Sequence, residues 1–181
     1  MTEPTRKVVW LTGLPASGKS TLGRALVADL LSRGQGAMLL DGDELREGLN
    51  SDLSFTREAR AEVCRRIGWM AHTISDQGLF FPRGVVPVVA AVTPYRSDRY
   101  KVRRTFEEGA FIEVHVYAPL AVCKARDSRG LYAKAERGEL TNLTGVDDPY
   151  EEPGNPTLIL DTTTQSVALC VKILRAAVLG D

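Results

Sequence analysis

The stretch with the clearest chemistry is Gly13-Leu14-Pro15-Ala16-Ser17-Gly18-Lys19-Ser20, followed by Thr21. It fits GxxxxGK[ST], a loop whose backbone N–H groups point inward around phosphate oxygens. An apolar run, Val8-Val9-Trp10-Leu11, precedes it and a helical pattern follows, which is the strand–loop–helix setting this chemistry requires. The helix N-terminus adds positive potential. Lys19 is then placed to neutralise a transferred phosphate, and the Ser20 hydroxyl to hold Mg²⁺. A nucleoside triphosphate is the implied ligand.

Two carboxylates follow at Asp41-Gly42-Asp43, with Arg46 three residues beyond. Beside a triphosphate, such a pair can orient Mg²⁺ or accept a proton from an attacking hydroxyl. An acidic helix cap is the competing reading, and one Asp can cap while the other does chemistry. Further on, Thr93-Pro94-Tyr95-Arg96-Ser97-Asp98-Arg99 offers Arg96 and Arg99 as a clamp for phosphate or sulfate oxygens, or else as surface charges on a polar turn. His72 and His115 lie in an amphipathic helix and an alternating strand, without a Ser or Cys partner, and read as structural.

Positioning these groups requires strand ends that share one edge. Strand and helix patterns alternate along the chain, which predicts an α/β fold with a mostly parallel sheet covered by helices on both faces. Strands are expected at Val8–Thr12, Ala37–Leu40, Val85–Val92, Phe111–Tyr117 and Thr157–Leu160. Helices are expected at Lys19–Arg33, Thr56–Gln77 and Val167–Leu179. Pro87 lacks a ladder donor, so it is expected at its strand's start. In such sheets ligands bind at the carboxyl ends of the strands, which is where the motifs fall. Residues 126–156 are rich in charge and turn residues, with one short helical stretch near Tyr132–Arg137, and read as a lid or as a solvated excursion.

The 181 residues suit a single domain, 1–181, with its own core. Formal net charge is zero, so no global field argues for nucleic acid or a membrane surface. No apolar stretch reaches transmembrane length, and the first residues lack the pattern of a signal peptide. Cys64, Cys123 and Cys170 fit neither a disulfide framework nor a zinc site, which suggests buried thiols and a cytoplasmic location.

The ordered set of motifs resembles the adenylylsulfate kinases, which are P-loop kinases with a three-layer sandwich fold. The likeness spans about Val8 to Thr162 and is carried by the P-loop, Leu40–Asn50, Asp52-Leu53-Ser54-Phe55, Thr93–Arg99, Arg126–Tyr132 and Thr144–Glu151. It implies ATP as donor with Mg²⁺, and transfer to the 3'-hydroxyl of adenosine 5'-phosphosulfate in sulfate activation. By resemblance Asp43 lies near the attacking hydroxyl and metal, and Asp41 supports it. Arg46 and Arg60 grip the phosphosulfate, Phe55 stacks on its adenine, and Lys134 falls in the lid. The family commonly forms homodimers.

Four departures bear on the acceptor. Leu143 replaces the phenylalanine that usually closes the other face of the adenine. Val63 stands where an asparagine is common, and Thr93 where a serine is usual. The Asp76–Gly84 connection is about six residues longer than usual, with Phe80 and Phe81 read as packing on the core or as a subunit contact. A related kinase with a different acceptor is therefore the alternative, and a non-catalytic nucleotide sensor a more distant one. If Leu143 borders the adenine, Leu143→Phe lowers the KM for adenosine phosphosulfate with a smaller change in kcat, because stacking is mostly uniform binding. Steady-state kinetics check this; an unchanged or raised KM removes Leu143 from the adenine site.

Overall fold

Strand β1 (Val8–Thr12) is fully buried, and its side chains alternate between two apolar layers. Val9 and Leu11 enter one layer, Val8 and Trp10 the other. A strand buried on both faces belongs in the middle of a parallel sheet, and β1 takes that place. The computed structural model describes residues 6–77 and 82–180. Within them β1 is joined by β2 (Gly36–Asp41), β3 (Val85–Ala90), β4 (Phe111–Tyr117) and β5 (Leu158–Asp161). All pairings are parallel, in the order β2-β3-β1-β4-β5.

Helix α1 (Lys19–Ser32) and helix α7 (Val167–Leu179) cover one face. Leu22, Leu26 and Leu30 of α1 meet Cys170, Leu174 and Val178 of α7 above Val9 and Leu11. Helix α3 (Arg57–Gln77) and helix α4 (Arg96–Arg103) cover the other. There Val63, Cys64 and Ile67 pack with Val102 against Trp10. Gly68 permits this close packing, because a Cβ at that position would lie 2.7 Å from Val102. The short helix α2 (Gly42–Glu47) follows β2, and α5 (Leu120–Ala125) and α6 (Leu131–Glu136) follow β4. A third, smaller apolar cluster forms there from Ala118, Cys123, Tyr132 and Leu143, with Leu14 and Ala16 of the P-loop packed against it.

The expected elements are present with small shifts at their ends. β3 stops at Ala90 rather than Val92, and Pro87 is its third residue rather than its first. Pro87 sits opposite Met38 of β2, one residue before the pairing with β1 begins at Val88. Strand β3 therefore starts as an edge toward β1, and a missing donor is tolerated there. All three cysteines are buried and free. Helix α3 ends at Gln77, and Phe80 and Phe81 lie outside the described residues.

Arg99 is 1% exposed and ties the elements around the sheet's carboxyl edge. Its Nε donates to Glu113 of β4 at 2.8 Å, Nη1 to the Thr93 carbonyl at 2.6 Å and Nη2 to the Glu151 carbonyl at 2.7 Å. Removing Arg99 leaves Glu113 with only the longer contact to Arg103 and strips two carbonyls of their donor, so Arg99→Met should cost about 3 kcal/mol of stability. Chemical denaturation measures this, and a loss below 1 kcal/mol would refute the assignment.

Candidate active site

The carboxyl ends of β1, β2 and β3 open on a cleft of about 920 Å³. Lys19, Ser20, Asp41, Asp43, Arg46 and Arg60 all line it. The P-loop forms its floor. Gly13 is forced by space, since a Cβ would lie 2.3 Å from the Val116 carbonyl. Ala16 (φ 61°) and Gly18 (φ 104°) take left-handed backbone that turns successive N–H groups toward one side. Gly18 begins α1 without a side-chain cap, and no acidic residue stands in the first turn. The free N–H groups and the dipole of this 14-residue helix therefore face the cleft unneutralised. Pro15, Ala16 and Thr21 line the same space, while Ser17 is buried with a hydroxyl that has no partner among the described residues.

Lys19 is 8% exposed, and its Nζ donates to the loop's own carbonyls, Gly13 at 2.9 Å and Leu14 at 2.7 Å. Burial pushes its pKa down to about 8, against a smaller upward pull from Asp43. The ammonium is thus held inside the loop by neutral carbonyl acceptors, which are weaker partners for it than an anionic oxygen.

The two aspartates divide the two readings between them. Asp41 is buried and caps α2, accepting from the Asp43 N–H at 3.0 Å. Asp43 is exposed to the cleft and pairs with Arg129 from the segment after α5. Arg24, one turn beyond Ser20 on α1, bridges Asp41 at 3.4 Å and Glu44 at 2.9 Å. Its i+4 spacing from Ser20 puts it on the same helix face, a signal that was available in the sequence.

Across the cleft, Arg46 lies 4.3 Å over the Phe55 ring and donates to the Leu53 and Ser54 carbonyls. Arg60 lies 5.6 Å from the same ring and donates to the Phe55 and Asn142 carbonyls. Burial lowers the pKa of both guanidiniums; for Arg46 the charge of Arg60 adds to the effect. Phe55 is 47% exposed, so much of its ring is open to a ligand. Val63, Thr93 and Leu143 complete this wall. Leu143 is 7% exposed and also packs in the third cluster beside Tyr132. Thr93 has φ 38°, a strained value for a β-branched residue, and its hydroxyl accepts from the Trp10 indole at 3.2 Å.

Arg96 and Lys134 are not brought to the cleft. The Arg96 N–H and guanidinium bind Glu151 and Glu152, and Lys134 is exposed on α6. Arg99 is an internal strut rather than a clamp. His115 is buried between the Tyr117 and Tyr150 rings, and desolvation lowers its pKa; His72 stacks near Phe106. The segment from 126 onward packs against the P-loop. Arg126 donates to Thr162, whose hydroxyl donates to the Ser17 carbonyl, and the Tyr132 hydroxyl donates to the Pro15 carbonyl. Among the described residues no group of three or more His, Cys, Asp or Glu gathers as a metal site, and no helix is long and apolar enough to cross a membrane.

The sequence profile of adenylylsulphate kinase matches residues 5–161. This chain belongs to the adenylylsulphate kinase family. An adenylyl-sulfate kinase of Geotalea daltonii is 46% identical over 171 residues, covering 94% of this chain and 81% of its own length. The Mycobacterium tuberculosis APS kinase CysC, solved in complex with AMPPNP and APS, superposes with a TM-score of 0.88 at 38% identity, covering 96% of this chain and 98% of that one. A hexameric APS kinase from Thiobacillus denitrificans gives a TM-score of 0.68 at 32% identity, covering 97% of this chain and 29% of that one. The fold is the P-loop NTPase fold, and membership of the adenylylsulphate kinase family makes the chain a phosphotransferase acting on a hydroxyl group.

The Lys19 pKa of about 8 sets a proton-linked signature for nucleotide binding. Phosphate oxygens favour the charged ammonium, so binding raises this pKa. At pH 8 the free protein carries the proton on roughly half its molecules, and binding should take up roughly half a proton. Calorimetry of ATP binding in buffers of differing ionisation enthalpy should show uptake that grows from pH 7 to 8.5. A flat profile would contradict the assignment.

Proposed function

We propose that this chain transfers the γ-phosphoryl group of ATP to the 3'-hydroxyl of adenosine 5'-phosphosulfate, giving 3'-phosphoadenosine 5'-phosphosulfate and ADP. The observation that carries this reading is that one cleft unites a P-loop lysine, two aspartates at the end of β2 and an arginine pair around an open aromatic ring. The first group suits a triphosphate. The last suits an acceptor with a base and an anionic tail.

The donor lies along the P-loop, with its phosphates on the N–H groups of residues 13–21 and on Lys19. The acceptor's 3'-oxygen attacks the γ-phosphorus, the bond from that phosphorus to the β,γ-bridging oxygen breaks in line, and ADP leaves with the electron pair. Asp43, the exposed carboxylate, receives the hydroxyl proton. Asp41 holds the turn that presents Asp43, through the Asp43 N–H. Transfer of this kind depends mainly on positioning and charge stabilisation, with little covalent chemistry asked of the protein.

The donor set beside Lys19 is made of hard oxygens, the Ser20 hydroxyl and the Asp41 and Asp43 carboxylates, and it fits Mg²⁺, which takes few protein ligands. Ser20 and Asp43 would hold it, and when bound it would neutralise charge on the β- and γ-phosphates. Arg46 and Arg60 bind the phosphosulfate, and Phe55 stacks on the adenine. Thr93 borders the same wall. Direct transfer requires no phosphorylated Thr93. Residues 126–156 act as a lid within a single domain, and Arg129 reaches Asp43 from it. Lys134 and Arg96 would join the site only by moving from their present partners. An assembly of several copies, in the cytoplasm, agrees with the hexameric relative and with three buried free thiols.

A second reading, with a different nucleotide-linked or small hydroxyl acceptor, is favoured by Leu143 and Val63 at the acceptor wall. A substrate panel with ADP release as readout separates them. Turnover with adenosine phosphosulfate supports the first; turnover only with another acceptor establishes the second. Lys19→Ala should lower kcat at least about 100-fold while leaving the circular dichroism spectrum intact, because it deletes charge stabilisation at the transferred group. Near-normal turnover in the folded variant would remove Lys19 from the mechanism.

A further inference from the structure

Behind the acceptor wall runs a chain of polar contacts with no part in holding the sheet together. The Tyr95 hydroxyl donates to Asp148 Oδ1 at 2.7 Å. The other oxygen, Oδ2, accepts from the Thr144 hydroxyl at 3.1 Å and faces Arg60 Nε at 3.4 Å. Arg57 lies 3.8 Å over the Tyr95 ring and forks onto Asp98, which fixes the ring from its far side. Both Tyr95 and Arg60 are largely buried, with Tyr95 7% exposed and the Arg60 side chain 10%. Burial, reinforced by the bond to Asp148, pushes the Tyr95 hydroxyl up to about 12, so it remains a donor across the working pH range.

We infer that Tyr95 and Asp148 are positioning residues for the acceptor: the phenol orients the carboxylate, and the carboxylate aims Arg60 into the cleft. Asp148 has a second route to the same wall. Its carbonyl accepts the Gly145 N–H at 2.7 Å, and it bridges to Thr144, while neighbouring Asp147 accepts the Asn142 and Leu143 N–H groups. Arg60 in turn donates to the Asn142 carbonyl. The Asp148 carboxylate thus faces the guanidinium, while the Asp148 carbonyl and the Asp147 carboxylate hold the backbone that carries Leu143. A guanidinium has five donors in a fixed fork, so a small rotation misdirects several of them at once. Toward the donor side this chain of contacts offers apolar packing, of Leu143 against Leu14 and Ala16, rather than a polar contact.

The inference rests on the acceptor reading above, and its test is ordered accordingly. Wild-type protein is first assayed with ATP and adenosine phosphosulfate; an absence of turnover overturns that reading and this proposal with it. Given turnover, Tyr95→Phe removes only the hydroxyl. The expected result is a roughly tenfold rise in the KM for adenosine phosphosulfate, the scale of one lost hydrogen bond, with kcat and the KM for ATP within about twofold. Asp148→Asn, which keeps the size of the side chain, should move the same constant and serves if Tyr95→Phe folds poorly. In an Arg60→Ala background Tyr95→Phe should add little, because both act through one guanidinium. Unchanged KM values, equal shifts for both substrates, or a factor that multiplies fully on top of Arg60→Ala would each overturn the positioning role while leaving the acceptor reading in place.

Discussion

The wall of the cleft around Thr93 depends on one buried guanidinium. Arg99 has no access to solvent and no ligand to bind, yet it joins β4 to the turn after β3 and to the segment at Glu151. Those three pieces are distant in sequence, and Arg99 is the side chain that bonds to all three at once. Its desolvation is offset because three of its nitrogens find oxygen acceptors at hydrogen-bond distance and one acceptor is a carboxylate. The strained backbone of Thr93 is stabilised from the same point, since the carbonyl that Arg99 holds belongs to Thr93. A left-handed threonine survives only where its surroundings over-determine it. Arg99, the Trp10 indole and the close apolar packing of β1 do this together.

The donor half is organised differently. It needs few side chains, because backbone N–H groups and a helix terminus supply most of the positive potential. Gly13 and Gly18 are required by space and by φ, and Lys19 by charge. Such demands leave a compact signature in consecutive residues, which is why this half was legible in the sequence. The alternation of strands and helices was equally legible, and with it a parallel sheet covered on both faces, whereas the order of the strands was not.

What the sequence concealed were the long-range roles of residues that look alike. Arg96 and Arg99 stand three apart in one polar string, and both read as surface or clamp. Only tertiary packing turns one inward as a strut and ties the other to Glu151 and Glu152. Asp41 and Asp43 read as a pair, and their division into buried cap and exposed carboxylate depends on which side of the turn faces the sheet. Arg24 and Arg129 reach the aspartates from opposite sides of the cleft, and only the first left a trace in local spacing. Pro87 was misplaced by two residues because the donor it lacks faces a neighbour that has not yet begun.

The contact between Tyr132 and Pro15 has a consequence for how the molecule loosens. Leu14 and Ala16 are anchored less to the two large layers than to the third cluster, which α5 and α6 build with Leu143. That cluster is small and lies at the rim. Local opening there requires far less free energy than global unfolding. The phosphate cradle is therefore attached to a smaller apolar cluster than the two that flank the sheet. Its amide hydrogens should exchange with solvent together with those of α6, as one cooperative patch, well before β1 releases its own. A ligand bridging the loop and the cover would close that patch without altering the sheet beneath.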